Sequence, residues 1–410
     1  MTELVKLELF KLCRKKLTLI VTISCFFATF LFFSLPFIEY KAWDETGTML
    51  SGRKAVSYKQ DCYKKIAGTL TEERIAKDLT EFQNMYSNEK NLITERGGEK
   101  SFKDEIYYRY LAPKESYLNM LGNTFVHNEM GYLNIPDIAP SDTPHFYQAR
   151  NYNVNQYIDS LPQLSSTEKQ YWKEKNKKIA EPYEYGCPLG WSNFGDTSQM
   201  LIICIFGICI AVAPIFSNEY QTGADAVILS TRFGKSKIAY AKIITALLFG
   251  SIVLTVNAAA ALLLPLLAFG ADGGNLPLQI MDSFCPYDLT FMETAFIILA
   301  ISYLTMLGLL AITLYCSSKA KSSFTVLTAD VLLIFFPVFL SSGSNDIWNH
   351  IYMLLPYQAL SGLSIFQEYL SYHLGNAVLP LITAIIPVYA IIIFLSVIFA
   401  GKNFCKHQVQ

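Results

Sequence analysis

The sequence predicts an all-α membrane protein: a six-helix transmembrane bundle with an N-terminal amphipathic elbow helix and a mostly helical extracytoplasmic domain inserted between the first two spans. Three observations predict it. Of 410 residues, 52% are hydrophobic and only 16% charged, against roughly 25% charged in an ordinary soluble domain. Six apolar runs, at about 17–38, 199–216, 243–269, 291–315, 323–340 and 377–400, are long enough to cross a hydrocarbon core of about 30 Å as helices of about 20 residues. Between the first two runs, residues 39–196 form a polar, charged stretch with the length of a domain. A net charge of −1 argues against a nucleic-acid partner, since such proteins carry a clear basic excess.

The elements follow in order. Residues 1–16, MTELVKLELFKLCRKK, place Val5, Leu9 and Leu12 on one helical face, with Leu4 and Phe10 beside it and basic residues towards the end. That suits an interfacial helix in the inner headgroup layer. The run 17–38 exceeds the apolar core of a signal peptide, and FFSLPFIEYKA offers no small-x-small cleavage site, so it reads as a retained first span. In the domain 39–196, LTEERIAKDLTEFQNMY spaces Ile75, Leu79 and Phe82 as a helix does, and Ser165 with Glu168 has capping-box spacing. GYLNIPDIAPSDTPHFYQARNYNVNQY, rich in Pro, Asn and Tyr, reads as loop. Cys62 and Cys187 flank this domain near its entry and exit. A disulfide between them and a pair of free thiols are both open readings, since sequence does not give the distance a bridge requires.

Residues 197–410 hold the remaining five spans. Outside the inserted domain, every Lys and Arg (Lys6, Lys11, Arg14, Lys15, Lys16, Arg232, Lys235, Lys237, Lys242, Lys319, Lys321, Lys402, Lys406) falls on one side of the six-span arrangement. The opposite connections, 270–290 and 341–376, carry only acidic charges, Asp272, Asp282, Asp288, Asp346 and Glu368. This positive-inside asymmetry places both termini in the cytoplasm of a multi-pass cell-membrane protein. The stretch 341–376 is amphipathic and aromatic, with breaks at Pro356 and Gly362; it reads as outer re-entrant helices or as a surface helix pair, with Trp348, Tyr352 and Tyr357 suited to the interfacial layer. Two polar residues fall inside spans, Asn257 and Asp330. For Asp330 a hydrogen-bonding role within the assembly is weighed above direct substrate contact.

Chemistry-bearing motifs are missing. The five histidines form no metal spacing, and there is no nucleophile elbow or dinucleotide loop. The tripeptide Gly234-Lys235-Ser236 ends like a phosphate-binding loop, but Leu229 stands where that loop needs its first glycine. No catalytic residue, metal or cofactor is expected. The surrounding segment 217–237, SNEYQTGADAVILSTRFGKSK, connects spans two and three on the basic side. Glu219 and Asp225 come early, Arg232, Lys235 and Lys237 late, and Ala226–Leu229 is apolar. This reads as a short amphipathic helix offering apolar residues to a partner, with a solvated loop as the alternative.

Here the chain resembles the ABC-2 type exporter permeases. Their pattern of Glu, Gly four residues on, an apolar pair, Ser-Thr, basic residues and a Lys opening the next span is met by Glu219, Gly223, Ile228-Leu229, Ser230-Thr231, Lys235 and Lys242. The N-terminal helix is similar to that family's elbow and 341–376 to its outer re-entrant helices. One departure is Arg232, where family members often have Pro. The resemblance implies a permease subunit that is not itself an enzyme, with ATP bound by a separate ABC ATPase subunit present in two copies. A second permease, identical or not, completes the path across the bilayer. It also implies that Glu219, Gly223, Asp225, Ile228, Leu229, Ser230, Thr231, Arg232 and Lys235 couple the chain to that ATPase. A large domain after the first span occurs in a subset resembling sodium-extruding permeases and permeases that export peptides or resist antimicrobial ones. The competing class is a membrane receptor or sensor, against which the short inner segments weigh.

Overall fold

The computed structural model describes every residue except 95–99, 127, 129, 140, 143, 232, 235, 342–345, 376 and 408–410. Among the described residues, five helices are long and apolar enough to cross a membrane: Lys16–Glu39, Leu189–Thr222, Lys237–Phe269, Phe291–Lys319 and Leu381–Lys406. The remaining predicted span is the shorter apolar helix Ser323–Phe339. Pro337 accounts for its length. Proline brings no N–H and its ring crowds the carbonyl one turn back, so the α-helix stops at Phe335 and a 3-10 turn, Phe336–Phe339, completes it.

Leu189–Thr222 is the axis of the bundle. It packs against Lys16–Glu39, Lys237–Phe269, Phe291–Lys319 and the short apolar helix. Of its most apolar stretch 78% is buried, against 22% for Lys16–Glu39 and 28% for Leu381–Lys406. The outer helices turn Ile20, Ile23, Phe27 and Phe30, and Ile386, Ile391 and Phe394, away from the protein. Apolar surface on this scale is stable only against lipid or another protein.

The N-terminal helix Thr2–Arg14 packs on the start of Lys237–Phe269. Its Val5–Leu9–Leu12 stripe faces protein: Leu12 is buried and the Thr245 hydroxyl donates to the Val5 carbonyl at 3.2 Å. Leu7 and Phe10 face outward instead. Glu8, in the middle of the stripe, meets a buried cation there.

The polar segment after the first helix is mainly helical, as its periodicity predicts. Glu72–Ser87 starts at Thr71, whose hydroxyl accepts from the Arg74 amide, and Ser166–Asn176 starts with the reciprocal Ser165–Glu168 capping box. The stretch expected to be loop differs. It contains a 3-10 run, Gly131–Asp137, and a helix, Phe146–Ser160, that buries Phe146, Arg150, Val154 and Ile158 at four-residue intervals. Burial of that stripe outweighs the low helix propensity of its asparagines and tyrosines. The two-residue strands Gly68–Thr69 and Glu184–Tyr185 pair antiparallel near the segment's exit. Cys62, buried, and Cys187, half-buried, both carry free thiols.

This segment shares one core with 270–290 and 341–380 at a single end of the bundle. Trp172, Tyr287, Tyr369 and Phe366 pack edge to face. The Tyr369 hydroxyl donates to the Phe284 carbonyl at 2.6 Å, and Ser371 Oγ to Glu168 at 2.7 Å. Helices Asp346–Met353 and Pro356–Ala359 and a 3-10 run Gly362–Phe366 break where Pro356 and Gly362 predict. An antiparallel hairpin, Ser371–Leu374 with Ala377–Pro380, then precedes the last helix. Residues 377–380, expected inside the last span, are thus strand, and the helix starts at Leu381.

Candidate functional site

Both chain ends and segment 217–237 gather at the other end of the bundle. The axial helix is interrupted there at Pro214, which cannot donate to the ladder. Ser317, from Phe291–Lys319, repairs the gap: its hydroxyl accepts from the Phe216 and Ser217 amides, each at 3.1 Å, and donates to the Ala213 carbonyl at 2.6 Å. Ser217 Oγ lies 2.9 Å from Ser323 Oγ at the head of the short apolar helix. Three elements are tied together immediately before the connection begins.

Gly223, at φ 70°, then ends Pro214–Thr222 and starts the helix Ala224–Ser230. A left-handed residue between two helices suits glycine, which has no Cβ to clash. Seven residues are too few to hold a helix alone, so its contacts decide its stability. Leu229 is buried against the cluster that holds Phe216 and Phe404. Asp225, buried in the first turn, lies 3.2 Å from His407 Nε2, and His407 stacks on Tyr220 with ring centroids 4.2 Å apart. The other face is open: Ala226 and Ser230 are exposed, and Val227 is 69% exposed. Gly234 closes the turn by donating to the Thr231 carbonyl at 3.1 Å. A Cβ there would strike the Ile228 backbone, so this glycine serves close packing.

Glu219 is held by a buried cation. Lys242 Nζ, whose side chain is 2% exposed, lies 2.7 Å from Glu219 and 2.9 Å from Glu8. One ammonium thus joins the N-terminal helix, the end of the axial helix and the start of the third. Burial pushes the Glu8 carboxyl up, but Lys242 and Lys11 outweigh it and hold the group below its ordinary value. Burial and neighbouring Lys242 lower the Lys15 ammonium.

The structure therefore brings Glu219, Gly223, Asp225, Ile228, Leu229, Ser230 and Thr231 into one connection; Arg232 and Lys235 lie outside the described residues. Sequence reasoning missed Glu8 and His407. Glu8 carried a signal, a carboxylate on the apolar face of an amphipathic helix. His407 carried none, since only the fold brings it beside Asp225. The two intramembrane candidates sit elsewhere. Asn257 donates to the Val253 carbonyl and accepts from Thr29, both at 2.8 Å, joining the first and third apolar helices. Asp330 contacts Thr313 at 2.9 Å. Among the described residues no group of His, Cys, Asp and Glu could hold a metal ion.

Comparison of the chain with protein-family models, with curated proteins and with solved structures gives no match.

Proposed function

We propose that this chain is the permease subunit of an ATP-driven exporter of the ABC-2 type. It would work with two copies of a separate ATPase and a second permease to move a peptide or an ion out of the cell. In this reading the bundle is six spans, the termini are cytoplasmic and the polar segment is extracytoplasmic. The observation that carries it is the helix Ala224–Ser230. A seven-residue helix with an open apolar face is held by buried contacts at the end of the bundle where Lys and Arg concentrate. Such a face is what a groove on a partner recognises.

The tethers supply the coupling. A partner that moves Ala224–Ser230 acts on Asp225 and Leu229, and through Glu219 and Lys242 on the third apolar helix. The Pro214 junction, already irregular, is where the axial helix would bend between two packings.

The test is co-purification of an ABC ATPase co-expressed with this chain. Val227→Glu puts a charge on the open face and should abolish capture while leaving membrane insertion and melting unchanged. Capture at the wild-type level would remove this surface from the reading. Labelling of a Ser230→Cys variant by an impermeant maleimide from outside intact cells would reverse the orientation and defeat the proposal; the native cysteines, those of the polar segment (Cys62 and Cys187) included, would first be replaced by Ser.

A further inference from the structure

The short apolar helix Ser323–Phe339 turns Asp330 inward, 1% exposed, while Phe324, Leu332 and Phe339 face out. Asp330 lies about two turns from the helix start, roughly 10 Å along the axis at about 1.5 Å per residue. Its Oδ1 is 2.9 Å from Thr313 Oγ1 on Phe291–Lys319, and its Oδ2 has no hydrogen-bond partner among the described residues. The titratable groups facing it are thiols, Cys209 from the axial helix and Cys316 from Phe291–Lys319. Of the other elements packed on this helix, Pro214–Thr222 carries Glu219, committed to Lys242, and Tyr220, which donates to the Ser318 carbonyl; Pro356–Ala359 carries only Tyr357. No cation pairs with Asp330 among the described residues.

The hydrogen-bond inventory at Thr313 then decides the state of the acid. A threonine hydroxyl has one proton to donate, yet Thr313 Oγ1 is placed to donate both to the Leu309 carbonyl at 3.0 Å and to Asp330. If Asp330 were ionised, Thr313 would have to abandon Leu309, and the carboxylate would still keep one oxygen unpartnered and its charge uncompensated at depth. That costs several times what one neutral hydrogen bond returns. If Asp330 carries the proton, every donor is satisfied and no charge is left buried. The acid O–H donates to Thr313, Thr313 donates to Leu309, and Oδ2 is a neutral carbonyl oxygen.

We propose that Asp330 is a proton-binding site, occupied while Ser323–Phe339 is packed on Phe291–Lys319. Parting these helices would wet the carboxyl and release the proton to water, so any working cycle that separates them binds and releases a proton. The inference needs only the bundle and stands whether or not the chain is an exporter subunit.

Infrared spectroscopy of the purified chain in lipid tests it. At about pH 7, where exposed carboxyls are ionised, the spectrum should retain a C=O stretch of a protonated acid that Asp330→Asn removes. Thr313→Val should shift that band as the acid loses its acceptor. Asp330→Asn, an isostere of the neutral acid, should melt with the wild type. Absence of the band, or its survival in Asp330→Asn, overturns the proposal. So does a rise in melting temperature on adding sodium that Asp330→Asn abolishes, which would make this a cation site.

Discussion

Lys242→Met is the most demanding perturbation of the end of the bundle that holds segment 217–237. The change keeps the side chain's length and apolar stem but removes the ammonium that lies 2.9 Å from Glu8 and 2.7 Å from Glu219. Removing one partner of a buried pair costs about 3–5 kcal/mol, because the other charge stays buried. Here the lower end applies. Glu8 keeps Lys11 at 3.0 Å, and both carboxylates are slightly exposed, 12% and 17%. A loss of about 3 kcal/mol, at about 2 °C per kcal/mol in a chain this large, lowers melting by about 6 °C. The assay is thermal unfolding of wild type, Lys242→Met, Glu219→Gln and the double variant in one detergent at one scan rate. If the pair is coupled as placed, the double variant melts well above the sum of the single losses, by an interaction of about 1–3 kcal/mol. Additive losses, or a Lys242→Met variant that melts like one at exposed Lys237, would refute the triad.

Other outcomes follow from the same contacts. Gly223→Ala meets no atom within 4 Å but must take φ 70°, so it should cost about 1 kcal/mol and weaken ATPase capture, read by melting and pull-down; Gly223→Asn should lose less. Thr29→Val leaves Asn257 Oδ1 without its donor and should cost about 1–2 kcal/mol in a denaturation series. Burial raises the Glu168 carboxyl, but hydrogen bonds from Ser165, Ser371 and His373 hold it below its ordinary value of 4.5. Its contribution to stability is therefore present above that value and lost as pH falls through the lower folded-state value. Glu168→Gln should flatten the acid limb of the melting curve, and an unchanged limb would place the acid sensitivity elsewhere.

What was legible in the sequence is what local pattern dictates. Apolar length located the long helices, capping residues located Ser166–Asn176, and the break residues Pro356 and Gly362 marked real boundaries. The short apolar helix came out shorter than its hydropathy suggests because hydropathy alone does not register what Pro337 does to the backbone. Phe146–Ser160 was missed because its stripe is spread among asparagines and tyrosines, whose burial only the tertiary core reveals. In segment 217–237, Glu219, Gly223 and Asp225 were visible as a spaced pattern. Their partners Glu8 and His407 come from the two ends of the chain, and no local rule connects residues so far apart.

The axial helix has a further consequence. Leu189–Thr222 contains 34 residues, about 50 Å at about 1.5 Å per residue, well beyond the apolar thickness of a bilayer. A helical rod of this kind transmits thrust instead of absorbing it, and between Trp191, seated against the Ala271 carbonyl, and the Gly223 turn the chain stays helical apart from the 3-10 turn Ser198–Met200 and the Pro214 junction. A stroke delivered at one mouth of the bundle would therefore arrive at the far one as tilt or slide of the same rod, with the Ser198–Met200 turn and the Pro214 junction as its knuckles.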